Sequence, residues 1–89
     1  MTEWHGRVRE VQVHETGQTN RKFGFWLAGQ GNPEAGFSIP YNQQDPALFN
    51  ALSSAILCAA AQNWWIEVAG DAPNNIKIVG FKLPSALLN

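Results

Sequence analysis

Residues 45–62, which read DPALFNALSSAILCAAAQ, decide the fold of this chain because they carry its longest regular pattern. Asp45 can accept hydrogen bonds from the free amides of a first helical turn, and the fixed φ of Pro46 suits the first helical position. The pattern therefore predicts a helix from Pro46 to about Gln62. Apolar residues recur three or four positions apart, which is the spacing of one helix face, at Leu48, Leu52, Ile56 and Ala59.

The predicted helix is unusual in its lack of charge. No charged residue occurs from Pro46 through Asn63. A helix on the surface of a monomer normally turns charged side chains to water, and a chain of 89 residues is too short to surround a helix. We therefore expect its outer face, which includes Ala51, Ser54 and Cys58, to contact another subunit. The alternative is a helix buried inside its own domain.

The segments on either side of the helix have the alternating pattern of short strands. A step of three between Val8 and Val11 predicts a β-bulge near Arg9 in the first strand. In the last strand Ile76 and Ile78 share one phase, and an irregularity is expected near residue 80. Turn-forming residues cluster at positions 15–20, 30–34 and 70–75, and the strands are assigned to residues 4–14, 23–29, 37–39, 64–69 and 76–83.

This order of elements, β-β-β-α-β-β, predicts a mainly β fold with one helix. Short, bulged strands with a helix after the third are the layout of a five-stranded OB-fold barrel, whose helix covers one end. The competing interpretation is an open sheet covered by one helix. One domain over residues 1–89, with its folded core from about residue 4 to residue 84, accounts for the chain.

Composition adds limits on partners and location. Charged residues make up 15 % of the chain, fewer than the quarter usual in globular domains, which favours association with other subunits. A net charge of −1 without basic runs argues against nucleic acid as a partner. Polar residues interrupt the uncharged stretch at 46–66, so no membrane span is expected. The first residues lack a signal-peptide layout, which predicts a cytoplasmic protein, or a secreted one if a signal peptide has been removed.

Several sequence features occur in an order that resembles that of a known protein family. They are Gly6-Arg7-Val8 at the start of a long strand, a polar turn at 15–18, polar residues 42–44 before an uncharged helix, and Ile66-Glu67-Val68 after it. From Gly6 to Leu83 this order resembles the B subunits of AB5 bacterial toxins, the Shiga type in particular. The resemblance implies a pentameric ring of OB-fold subunits that binds cell-surface glycans as a lectin, with a toxin A-type subunit as a further partner.

Carbohydrate sites combine an aromatic ring, for the apolar face of a sugar, with neutral amides for its hydroxyls. Trp26 is out of phase with Phe23 and Phe25, so we expect its ring to face away from the core, either against a ligand or against a neighbouring subunit. Trp65 is assigned to the outer face and Trp64 to the core. The candidate ligand-binding residues are Trp26, Tyr41, Asn42, Gln43, Gln44 and Trp65, with Glu15 and Thr16 added where the resemblance places first-turn contacts.

Each candidate also has an ordinary structural interpretation. Residues 41–44 can be a helix lead-in, Trp65 a subunit contact, and Glu15 and Thr16 plain turn residues. The pair Asn32-Pro33 offers a further amide near one end of the predicted barrel.

No catalytic residue, metal site or cofactor is predicted. His5 and His14 lie at opposite ends of one strand, and the lone Cys58 can form neither a disulfide nor a cysteine cluster within the chain. The sequence therefore favours a non-enzymatic, glycan-binding homo-oligomer. Two alternatives remain open. One is an OB-fold protein for single-stranded nucleic acid, with Arg7, Arg9, Arg21 and Lys22 gathered on one hairpin, and the other is a structural oligomer without a small ligand.

Overall fold

The computed structural model describes residues 1–14, 22–29 and 31–81. The predicted first turn, with Glu15 and Thr16, and the predicted end of the last strand lie outside the described residues. The predicted mainly β fold, with one helix between the third and fourth strands, is confirmed. The elements are β1 (Thr2–His14), β2 (Lys22–Ala28), β3 (Phe37–Pro40), α1 (Pro46–Gln62), β4 (Trp65–Ala72) and β5 (Asn75–Phe81).

The five strands form one antiparallel sheet in the order β3-β2-β1-β4-β5. The central strand β1 pairs with β2 along residues 7–14 and with β4 along residues 2–7. Its register on β2 shifts between Val8 and Glu10, so the bulge predicted near Arg9 is confirmed. In the described chain, β3 and β5 share no ladder. The sheet is therefore open, and the predicted closure into a barrel is not shown.

The helix begins and ends where the sequence predicts. Asp45 Oδ1 accepts a hydrogen bond from the Leu48 amide at 3.2 Å, which caps the first turn. After Gln62, Asn63 adopts the left-handed conformation with φ of 55°, and the Trp64 amide donates to the Ala59 carbonyl at 3.0 Å. This is a Schellman arrangement, which satisfies the last carbonyls of the helix.

The core lies between the helix and one face of the sheet. The buried face of the helix differs from the predicted one, because Leu48 is 42 % exposed while Ser53 is buried. Ile56 is fully buried and lies near the centre of that face. The buried hydrophobic residues are Phe23, Phe25, Leu27, Phe37, Ile39, Phe49, Leu52, Ile56, Ala59, Ile66, Val68, Ala69 and Ile76. No helix of the described chain combines the length and the apolar character needed to cross a membrane.

The prediction that Trp64 belongs to the core is wrong. Trp64 precedes β4 and is 36 % exposed, with the edge of its ring against Phe81 at a centroid distance of 5.1 Å. Its amide completes the end of the helix, so the strand starts one residue later. Trp65 shares the outer face of β4 with Glu67, as predicted, while Ile66 lies in the core.

The turn predicted at residues 70–75 lies within that range but is shorter. The strand β4 continues through Gly70 to Ala72, and the turn is Pro73-Asn74. A Cβ at Gly70 would lie 2.1 Å from the Asn75 carbonyl oxygen, so glycine here permits the strands β4 and β5 to approach closely.

The same irregularity changes the phase of β5. The ladder between β4 and β5 shifts its register on either side of Gly70, and not near Gly80 where the irregularity was predicted. As a result Ile76 is buried while Ile78 is 53 % exposed, so the prediction that these two residues share one phase is wrong. Strand phase read from sequence fails where a ladder contains an irregularity.

Two identical substitutions test the position of the core. Ile56→Val and Ile78→Val each delete one methylene, from a fully buried residue and from a half-exposed residue respectively. We expect Ile56→Val to lower the free energy of unfolding in urea by about 0.5–1.5 kcal/mol. Ile78→Val should change it by less than about 0.5 kcal/mol. Equal costs at the two positions would contradict the described core.

Candidate ligand site on the outer face of the sheet

An open hollow of about 630 Å³ lies on the face of β1, β2 and β3 that is turned away from the core. The strands contribute alternate residues to it, and two turns close its sides. Its lining residues are Gln12, Lys22, Gly24, Trp26, Pro33, Ala35, Gly36, Phe37, Ser38, Pro73 and Asn74. The hollow therefore gathers residues from four separate parts of the chain.

Strand alternation explains why Trp26 lies in this hollow. On β2 the residues Phe23, Phe25 and Leu27 are buried, so Lys22, Gly24 and Trp26 belong to the opposite face. The expectation that Trp26 faces away from the core is thus confirmed.

Local contacts fix the orientation of the Trp26 ring. Its Nε1 donates a hydrogen bond to the Glu34 carbonyl at 3.1 Å. The ring lies against Gly36, where a Cβ would come within 2.6 Å of its Nε1 and Cε2 atoms. Gly36 in turn donates its amide to the Pro33 carbonyl at 3.1 Å, which closes a tight turn. The indole is thus held at one place on the sheet surface.

The side-chain amide of Asn32 has a structural role. Its Nδ2 donates to the carbonyls of His5 at 3.3 Å and Leu27 at 3.4 Å. These bonds attach the loop between β2 and β3 to both neighbouring strands. Asn32 was a sequence candidate for a ligand amide, but its donor group is used within the chain.

The turn between β4 and β5 closes another side of the hollow. The Ser38 amide donates to the Pro73 carbonyl at 2.8 Å, which brings this turn against β3. At the base of the same hairpin Lys77 Nζ donates to Asp71 Oδ2 at 2.8 Å. This hydrogen bond and the charge of Lys77 hold the pKa of Asp71 below its ordinary value. Both side chains are exposed, so the pair adds little to stability.

The polar lining of the hollow is mostly neutral. Gln12, Ser38 and Asn74 carry amide or hydroxyl groups, and Lys22 carries a charge. Sequence reasoning missed the three neutral residues and named Lys22 only for the nucleic-acid alternative. The phases of β1 and β3 could have indicated Gln12 and Ser38, but Asn74 reaches the hollow only because its turn packs against β3, which no local pattern indicates. An aromatic ring beside neutral hydrogen-bonding groups is an arrangement that suits a sugar.

The candidates before the helix lie outside this lining. Asn42 Oδ1 accepts a hydrogen bond from the backbone amide of Gln44 at 2.9 Å. The backbone amide of Asp45 donates to the backbone carbonyl of Asn42 at 3.1 Å. Tyr41 packs edge-on against Phe49 at a centroid distance of 5.3 Å. Residues 41–45 thus form a lead-in that positions the helix cap. Gln43 is exposed in the same segment.

Trp65 belongs to a separate group on the outer face of β1 and β4. Its ring meets that of His5 edge-on at 5.8 Å between centroids, and Arg7 Cζ lies 5.9 Å from its centroid. The Nε of Arg7 is buried and has no hydrogen-bond partner among the described residues. Trp26 and Trp65 are therefore not brought together in one hollow.

Two of the basic residues required by the nucleic-acid alternative, Arg7 and Lys22, lie far apart. In the strand ladders, Arg7 of β1 lies opposite Trp65 of β4. Lys22 of β2 lies opposite His14, at the far end of β1. Seven residues of extended strand separate those positions, or about 23 Å. Arg21 lies outside the described residues.

Comparison with known proteins gives no further assignment. No protein-family model, curated protein or solved structure matches the chain. Within residues 1–14, 22–29 and 31–81, no group of three or more His, Cys, Asp and Glu residues is arranged to hold a metal ion. The resemblance to toxin B subunits therefore stays a prediction.

Two glycine substitutions test how the Trp26 ring is held. Gly31 and Gly36 have similar positive φ values of 83° and 81°, but a Cβ at Gly31 would meet nothing within 4 Å. We expect Gly31→Ala to cost about 1–2 kcal/mol from backbone strain alone. Gly36→Ala should cost about 1–3 kcal/mol more, because its methyl group collides with the indole.

Urea unfolding measures both costs, and the ¹H–¹⁵N spectrum reports the environment of the Trp26 indole N–H. That resonance should move in Gly36→Ala and stay in place in Gly31→Ala. Equal costs with an unmoved resonance in both variants would show that Gly36 does not support the ring.

Proposed function

We propose that this protein is a non-enzymatic, carbohydrate-binding protein whose ligand site is the hollow around Trp26. The observation that carries the proposal is the fixed indole ring beside Gln12, Ser38 and Asn74. An aromatic ring provides a flat apolar surface for the C–H face of a sugar. The amide and hydroxyl groups can both donate and accept hydrogen bonds, as sugar hydroxyls require.

The build of the hollow supports a ligand of this kind. Its volume of about 630 Å³ lies within the range of small-molecule sites. Since the ring of Trp26 is already held by Glu34 and Gly36, little conformational entropy is lost when a sugar stacks on it. Gly24 precedes it by two residues on the same face of β2 and adds no side chain to the hollow.

The proposal includes an OB-type barrel assembled as a homo-oligomer. The strand order and the contact between Ser38 and Pro73 support this architecture, because they bring the two outer strands of the sheet close together. The exposed, uncharged face of α1, with Ser54 and Cys58, supports a contact between copies. In this proposal five copies form a ring, as in AB5 toxin B subunits, and bind cell-surface glycans outside the cell. A toxin A-type subunit is the further partner that such a ring would accept.

Replacing Trp26 tests the ligand site. We expect Trp26→Ala to weaken glycan binding at least tenfold, which is about 1.4 kcal/mol, since the stacking surface is lost. Trp65→Ala removes an equal ring from the other group and should leave binding unchanged. A glycan array identifies the ligand, and calorimetry with that ligand compares the variants.

Two results would contradict the proposal. One is a folded wild-type protein with no binding on the array, which would favour a structural oligomer. The other is binding to single-stranded oligonucleotides that falls steeply with salt, without glycan binding, which would favour the nucleic-acid alternative.

A charge on the outer face of α1 tests the assembly. Light scattering of the wild-type protein should give about five times the chain mass of 9.8 kDa. Ser54→Glu should reduce this mass, because an interface would bury the new carboxylate. Gln43→Glu adds the same charge in the exposed segment before the helix and should leave the mass unchanged. A wild-type mass near 9.8 kDa would exclude the oligomer.

A further inference from the structure

We propose that the hollow around Trp26 selects an acidic glycan, with a carboxylate or sulfate group of the sugar held by Lys22. This inference rests on the proposed function, because it names the class of ligand for the same site. It is carried by the distribution of charge in the hollow and by the order of groups along β2.

Among the residues that the structure describes, Lys22 is the charged residue of the lining, and none of the lining residues is acidic. Glu10 lies opposite Trp26 on β1, at the other end of the β2 face, and Glu34 contributes its carbonyl to the Trp26 indole. Neither carboxylate lines the hollow. A ligand in it therefore meets a positive charge that the lining does not neutralise.

Lys22 is available for a ligand. Its side chain is exposed, and it forms no ion pair within the described part of the chain. Lys77 behaves differently, because its ammonium group is paired with Asp71 at 2.8 Å. An ammonium group on a long flexible stem can contact a carboxylate or a sulfate as a point charge.

The groups of the hollow follow a linear order. Lys22 and Trp26 lie on the same face of β2. They are four residues apart, which puts their Cα atoms about 13 Å from each other. Between them Gly24 pairs with Gln12 on one side and with Ser38 on the other. A row formed by the Gln12 amide, Gly24 and the Ser38 hydroxyl therefore separates the aromatic end of the hollow from its cationic end.

This order specifies the ligand further. The Cα atoms of Lys22 and Trp26 are about 13 Å apart, which leaves room for a ligand longer than one sugar ring, so we place the acid on a residue next to the stacked sugar. The fitting ligand is an acidic oligosaccharide of at least two residues. Its stacked sugar lies on the indole, its hydroxyls meet Gln12 and Ser38, and its acidic residue lies at Lys22.

Calorimetry with three related probes tests the inference: lactose, 3′-sialyllactose and 3′-sulfolactose. The wild-type protein should bind the two acidic probes at least fivefold more tightly than lactose, and raised salt should reduce this difference. Lys22→Gln should remove the preference, so that this variant binds the two acidic probes no more tightly than it binds lactose. Arg9→Gln removes an exposed positive charge outside the hollow and should keep the preference.

The outcomes separate this inference from the proposed function. Equal affinities for the three probes, with Trp26→Ala still weakening all of them, would overturn the acidic preference and leave the sugar site in place. A preference that survives in Lys22→Gln would also overturn it. Absence of binding to all three probes and to a glycan array would overturn both proposals. Tighter binding of the sialylated probe alone would restrict the acid to a carboxylate.

Discussion

The shared pairing of β1 is the constraint on which the rest of this structure depends. One strand of 13 residues supplies ladders to β2 on one half and to β4 on the other, so it joins the two parts of the chain that the helix separates. The extra residue at Arg9 lets both halves direct apolar side chains to the same side. Trp4 and Val8 before the bulge and Val11 after it pack against the core. Without this correction, half of the strand would present its apolar residues to water.

The sequence was sufficient for features that have local causes. The cap at Asp45, the bounds of α1 and the broken period around Arg9 each leave a pattern within a few residues, and each of these predictions agrees with the structure. The failures lie where two elements meet. The Trp64 amide completes the end of the helix, so Trp64 does not belong to the strand, and the close approach at Gly70 depends on its partner strand.

The candidate site shows the same division between local and tertiary causes. The outward phase of Trp26 follows from β2 alone, so the sequence predicted it. The row that contains Gln12, Gly24 and Ser38 exists only when three strands align in one register, which no local pattern specifies. The hollow and the helix lie on opposite faces of the sheet. In the proposed assembly, a neighbouring copy against α1 would leave the sugar site free.

The open sheet has two unequal edges, which affects how the chain behaves at high concentration. The strand β3 has four residues and ends at Pro40, whose nitrogen carries no hydrogen to donate. The strand β5 has seven residues, and in the described chain its ladder is on one side only, with Ile78 and Phe81 about half exposed. A strand from another molecule would find most of its hydrogen-bonding partners at β5. This edge is therefore the one at which pairing with another molecule is favoured, and charged substitutions at Ile78 or Phe81 would oppose it.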